Sequence, residues 1–287
     1  MVFSYPSQRL QDWLSQQWVI ALGRRIEPDA LPWLMGPYGM ADTIADSYLP
    51  LLARNEGLEL ERSASQAGLF LDVDELGLDP AARARLHPEV ADFYKRTTDY
   101  ELEMWVMWSP WFWMGGSLLR RLYSRRLQQL NLPMGSRETS RGLRSEIARL
   151  RVPGSGEVRH TVWYRVMKSS GDALYSGIYG FADLPCGVRC VKIVFPLPRG
   201  NATELMRPTV GPEGDLILDS TGHQFGDPGF YFLLMDGRGR HHAQHIPTFR
   251  DRIRIYVDDA NCLRAEQVFT LWDRTVVELS YRMLRRS

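Results

Sequence analysis

Two charged residues stand among apolar neighbours in a pattern that suggests chemistry. Counted at about 100° per residue from a helix start at Pro88, the side chains of Val90, Phe93, Tyr94, Thr97, Met104, Trp105 and Trp108 share one face. Glu101 falls in the middle of that face. In the stretch that follows, Gly115, Leu119, Leu122, Tyr123 and Leu130 share a face centred on Arg126. A lone charge buried on such a face is costly, so each needs a partner. Pointing into a cavity, Glu101 would have a raised pKa and serve as acid or base. Arg126 would hold a carboxylate or an anionic headgroup. Glu101, Arg126, Thr97, Trp105 and Trp108 are therefore the ligand-binding candidates. The plainer reading is a structural ion pair, or long side chains that reach water along their stems.

The other reactive residues form weaker patterns. His241 and His245 would chelate a metal on a helix, but Gly237, Gly239 and Pro247 around them point to a turn and a strand. Positions four apart on a strand lie about 13 Å from each other, so no metal site is expected. His223 and Asp227 suit acid–base chemistry, yet they sit in a glycine- and proline-bearing loop with no assignable nucleophile. Cys186, Cys190 and Cys262 are an odd set without zinc spacing and read as reduced, structural thiols. Arg159, Arg165, Trp163 and Tyr164 mix basic and aromatic residues as a nucleic-acid-binding sheet does, but acids are spread through the same half. There is no G-x-G-x-x-G, P-loop or G-x-S-x-G, so neither a nucleotide cofactor nor the common serine-hydrolase arrangement is expected.

The composition sets limits on these readings. The 287 residues are 44% hydrophobic and 24% charged, an ordinary globular balance. Thirty-five cations meet 34 anions, so no global field recruits nucleic acid or an anionic membrane. Charge is segregated locally: residues 120–151 carry nine Arg and two Glu, whereas residues 56–103 carry twelve acids and five bases. The two segments are expected to neutralise each other across a helix pair. The first residues lack a basic start followed by an apolar run, which, with the thiols, points to the cytoplasm.

The texture of the chain changes near Pro153-Gly154-Ser155-Gly156, which divides a mostly helical region, 1–155, from an antiparallel β region, 156–287. The two are either separate domains or layers of one. Helical spacing predicts helices over 7–25, 42–54, 88 to about 108, 111–130 and 141–150, with a break at Ser109-Pro110. Strands are predicted near 159–167, 173–182, 188–197, 202–207, 215–219, 229–235, 240–246, 252–258, 263–272 and 275–284. Alternation is clearest late: Ile253, Ile255 and Val257 oppose Arg252, Arg254 and Tyr256, and Val277, Leu279, Tyr281 and Met283 oppose Glu278, Ser280 and Arg282. Short turns without helical crossovers imply antiparallel pairing in a sheet that curls or closes. The expected fold is α+β, an N-terminal helical layer on a curved antiparallel sheet or barrel of about ten strands.

Residues 104–119 carry no charge and include Trp105, Trp108, Trp111 and Trp113. Sixteen residues interrupted by Pro110 and Gly115-Gly116 are too few to cross a bilayer, which takes about 20. Core, pocket wall and membrane-surface contact are the remaining readings, the last because Arg120, Arg121, Arg125 and Arg126 follow directly.

His87-Pro88-Glu89-Val90 with Phe93-Tyr94, then Ser124-Arg125-Arg126 and Gln129-Leu130-Asn131-Leu132-Pro133, resemble a bacterial family, the YndJ-like proteins, over residues 87–134. The resemblance implies a bacterial protein and carries no activity or residue role. Three functions follow for comparison. The first is non-enzymatic binding of a hydrophobic or lipid-like small molecule between sheet and helices. The second is an enzyme on such a molecule with Glu101 or a histidine as acid or base. The third is a peripheral membrane or partner-binding module built on residues 104–126.

Overall fold

A computed structural model describes residues 10–40, 45–62 and 66–286. The chain is mostly β. Its strands are β1 Arg24–Ile26, β2 Glu59–Glu61, β3 Tyr100–Trp108, β4 Leu143–Arg151 and β5 Val158–Met167. They continue with β6 Ala173–Asp183, β7 Arg189–Leu197, β8 Gly200–Val210, β9 Leu216–Asp219 and β10 Gly229–Met235. The last four are β11 His241–His245, β12 Phe249–Val257, β13 Leu263–Leu271 and β14 Arg274–Arg285. The helices are α1 Leu10–Leu22, α2 Leu49–Glu56, α3 Pro80–Arg85, α4 Pro88–Lys95, α5 Pro110–Leu119 and α6 Arg125–Leu127.

Ten strands close an antiparallel barrel in the order β8-β7-β6-β5-β4-β3-β14-β13-β12-β9 and back to β8. Closure depends on β8, which divides its two halves between partners. Residues 207–210 pair with β9, while residues 200–205 pair with β10 outside the ring. A flap, β10-β11-β1, thus grows from the barrel wall, and β2 pairs with β4. All ten strands predicted after residue 158 are present. Eight of them are barrel members, and β10 and β11 belong to the flap. The barrel takes β3 and β4 from before residue 155.

Those two strands correct the helical reading. The helix begun at Pro88 ends at Lys95, a 3-10 turn follows over Thr97–Asp99, and residues 100–108 are extended. Tyr100, Leu102, Met104 and Val106 point inward with a period of two, and Glu101, Glu103, Trp105 and Met107 point outward. Of the helix expected over 141–150, residues 143–150 are likewise strand, because Leu143 and Ile147 face the barrel while Ala148 and Leu150 are buried on the opposite side against α2. The helix expected over 7–25 is present as α1 but ends at Leu22, because Arg24 and Arg25 belong to β1, which pairs with β11; residues 7–9 lie outside the described part. The helix expected over 42–54 starts later, at Leu49, with Pro50 in its first turn rather than inside it. Residues 42–44 of that expectation also lie outside the described part. The helix expected over 111–130 is α5, a π turn over Arg120–Ser124, and α6, and it ends at Leu127, where Gln128 turns to the left-handed region.

The acidic and basic segments do meet, but across strands. β2 pairs Glu61 with Arg149 and Glu59 with Arg151, and Arg151 Nε reaches Glu61 Oε2 at 2.7 Å.

One end of the barrel is plugged by residues 67–99. Phe70 stacks on Tyr94 at 4.7 Å, and Phe93 lies edge-on to Tyr100 and Trp163. Gly68 permits this, since a Cβ there would stand 2.1 Å from the Tyr94 carbonyl oxygen. The other end is covered by α5, which follows directly from β3 through Ser109-Pro110.

Candidate functional site

Between plug and cover the barrel encloses a cavity of about 590 Å³. Its wall is built by inward-facing alternate residues: Trp163 on β5, Ile193 and Phe195 on β7, Leu218 on β9, Ile253 and Ile255 on β12, and Leu279 on β14. From α5 come Phe112, Gly115, Gly116 and Leu119. Short β-branched and aromatic side chains at period two give this wall as soon as the sheet closes.

Within it lies one connected polar network. Arg165 on β5 is 5% exposed and sits 4.3 Å from the Trp163 ring centre, 4.2 Å from that of Tyr175 and 5.4 Å from that of Tyr281. Its Nη2 donates to the Tyr175 hydroxyl, which lies 3.1 Å from the Tyr179 hydroxyl. The Tyr281 ring packs against the same guanidinium. Tyr281 donates to Gln267 Oε1 at 3.3 Å, and Gln267 Nε2 donates to Asp251 Oδ2 at 2.6 Å. Asp251 in turn lies beside Glu204, and the two carboxyls act on each other in one buried site.

Topology explains this pair. β9 ends at Asp219, and the next residue, Ser220, clips to Asp251 by backbone and hydroxyl bonds of 2.7–3.1 Å. Beyond that point β8 has turned to β10, so β8 and β12 face one another across a fork. Glu204 and Asp251 meet there. Neither Glu204 Oε1 nor Asp251 Oδ1 receives a hydrogen bond from an N–H or hydroxyl donor among the described residues. Burial pushes the pKa of both carboxyls up, and the negative neighbour adds to the rise for Glu204. The pair therefore holds a proton more firmly than ordinary acids do. Burial works against the charge of Arg165, but the surrounding phenol oxygens of Tyr175, Tyr281 and Tyr179 outweigh it and the guanidinium stays charged.

The sequence candidates are scattered relative to this network. Glu101 faces outward on β3 and pairs with Lys168, which lowers its pKa. Arg126 pairs with Asp12 of α1, so the two candidate charges do not meet. Thr97 is buried as a staple of the plug: its hydroxyl donates to the Phe93 carbonyl and accepts from Leu69 N. Trp105 is 44% exposed. Of the five, Trp108 alone lines the cavity, with Nε1 donating to the Pro133 carbonyl at 2.9 Å. Arg165 was visible in the sequence only as part of a basic–aromatic mixture. Glu204, Asp251 and Gln267 were missed. The usable signal was phase: Asp251 is in step with Ile253 and Ile255, Gln267 with Ala265 and Phe269, and Glu204 with Ala202 and Met206.

The histidines behave as a strand and a turn. His241 and His245 lie on β11, where His241 Nδ1 meets the Tyr38 hydroxyl and His245 stacks on Tyr231. Asp227 accepts from the backbone N–H groups of His223 and Gln224. Among the described residues no group of three His, Cys, Asp or Glu side chains is arranged to hold a metal. The three cysteines are free thiols. No helix among the described residues is long and apolar enough to cross a membrane.

No family model matches the chain, and no solved structure matches it. The chain is 25% identical over 182 residues to the protein of Bacillus subtilis (strain 168) named uncharacterized membrane protein YndJ, an alignment that covers 63% of this chain. It spans 32% of that protein, about a third of its length. The resemblance to YndJ-like proteins is thus a weak similarity over 63% of the chain.

Proposed function

We propose that the barrel is a non-enzymatic binding protein that holds one lipid-like molecule in its cavity. The observation that carries this reading is the cavity itself, about 590 Å³ of space bounded almost wholly by apolar side chains. That volume lies within the usual range for small-molecule sites, roughly 300–1,000 Å³, and a few convergent polar groups are what such sites use to fix orientation. An enzymatic reading through Glu101 has less support, because that carboxylate is paired with Lys168 on the outer surface.

Native mass spectrometry of delipidated protein mixed with C12–C18 fatty acids and alcohols tests the proposal. It predicts a retained one-to-one adduct that is lost in Ala265→Phe, which projects a ring into the cavity from β13. No adduct, or an equal adduct in the variant, contradicts it.

A second reading concerns where the ligand is exchanged. The cover helix α5 has no buried residue although it is almost wholly apolar. Trp111 is 90% exposed, and Trp113, Met114, Leu118 and Leu119 are exposed beside it. Trp272, also exposed, stands at the same end of the cavity. An apolar face of this kind, followed by the exposed Arg121 and Arg125, has the chemistry of a surface that rests on an anionic bilayer. That YndJ is named a membrane protein is compatible with that placement.

A further inference from the structure

Resting on the cavity as a lipid site, we infer that its occupant is a single-chain amphiphile with one carboxylate, and that Arg165 is the group that anchors it. Arg165 lines the cavity and is the only cation that does so among the described residues. No described acid forms an ion pair with it. The acids nearest in the network, Asp251 and Glu204, are reached only through two neutral side chains, Tyr281 and Gln267. They lie beside each other, away from the guanidinium. A guanidinium held against three aromatic rings, with its Nε unpartnered, lacks the direct anion that a buried charge calls for. Its planar fork suits a carboxylate. The Tyr175 hydroxyl, held between Arg165 and Tyr179, stands beside it as a second polar contact.

The same wall argues against a phosphate. A phosphomonoester brings a second negative charge, and among the described residues the other ionisable groups lining the cavity are the carboxyl pair and phenols. An alcohol, at the other extreme, leaves the guanidinium charge unmatched.

The test is a competition titration of delipidated protein with hexadecanoate, hexadecanol and hexadecyl phosphate at pH 7.5, in wild type, Arg165→Met and Arg165→Lys. Hexadecanoate is expected to bind wild type at least tenfold more tightly than the alcohol or the phosphate. Arg165→Met is expected to lose that preference while still binding the alcohol, and Arg165→Lys to keep part of it. Equal affinity for acid and alcohol, or tighter binding of the phosphate, overturns the anchoring role and leaves the lipid cavity standing. Failure of all three to bind wild type overturns the cavity reading as well. The wild-type comparison decides the matter even where a variant does not fold.

Discussion

Gln267 on β13 donates from Nε2 to Oδ2 of Asp251 on β12 at 2.6 Å, and by doing so joins the buried carboxyl pair to the hydroxyl of Tyr281. One neutral amide thereby links the fork between β8 and β12 to the buried guanidinium of Arg165. The network spans the interior from β6 to β8, and only a closed barrel brings its members together.

The carboxyl pair makes stability depend on pH in a defined direction. Both folded-state pKa values are raised above their unfolded values, so the folded protein binds the extra proton. The associated stability is fully present below the unfolded carboxyl range, near pH 4. It declines as pH rises through the folded pKa values, at up to about 1.4 kcal/mol per pH unit for one proton. Glu204→Gln is expected to flatten this decline between pH 5 and 8 and to be the more stable protein at its alkaline end. Urea unfolding of both proteins across that range measures it.

Two neighbouring glycines in the cover helix are expected to respond in opposite ways. A Cβ at Gly115 meets nothing within 4 Å, so Gly115→Ala should stabilise the protein by roughly 0.5–1 kcal/mol through helix propensity. A Cβ at Gly116 would stand 2.4 Å from the Trp108 ring, which is itself fixed by its bond to the Pro133 carbonyl. Gly116→Ala should therefore cost about 1–3 kcal/mol as an overpacked contact. Equal effects in denaturant unfolding would show that α5 does not press on Trp108.

Glu101→Gln should be nearly silent. The side chain is half exposed and its partner Lys168 is equally accessible, so the pair is worth less than about 1 kcal/mol. Thermal unfolding should show little change, and ligand affinity should match wild type. A fall in affinity would return Glu101 to the site.

Membrane contact is expected to reside in α5. Wild type should co-sediment with vesicles containing phosphatidylglycerol, less so with phosphatidylcholine alone, and less again at high salt. Trp111→Ser with Met114→Ser should abolish the association while leaving hexadecanoate binding intact. Undiminished sedimentation of that double variant would move the contact elsewhere.

How much of this could be read from the sequence depends on how cleanly each face was exposed to water. β12 and β14 were legible because arginines, glutamate and serine alternate with Ile, Val and Leu. β3 was not, because its outward residues pass from Glu101 and Glu103 to Trp105 and Met107, which erases the polar half of the pattern and mimics an apolar helix face. β4 was obscured for a related reason: Leu150 and Ala148 are buried outside the barrel by α2, so both faces are apolar in part. The network was hidden by distance along the chain. Arg165, Glu204 and Asp251 come from three strands, and each looks like a surface charge until the fork between β8 and β12 is drawn.

The central claim is that a lipid-like chain lies inside the barrel, and quenching of intrinsic fluorescence by brominated hexadecanoate tests it most directly. Trp108 and Trp163 line the cavity and Trp272 stands half out at its mouth, whereas Trp111 is almost wholly exposed and lies outside the lining. The account predicts saturable quenching at one ligand per protein, sharply reduced by Trp163→Phe and absent in Ala265→Phe. Quenching that rises without saturation, or that survives unchanged in Ala265→Phe, would contradict it.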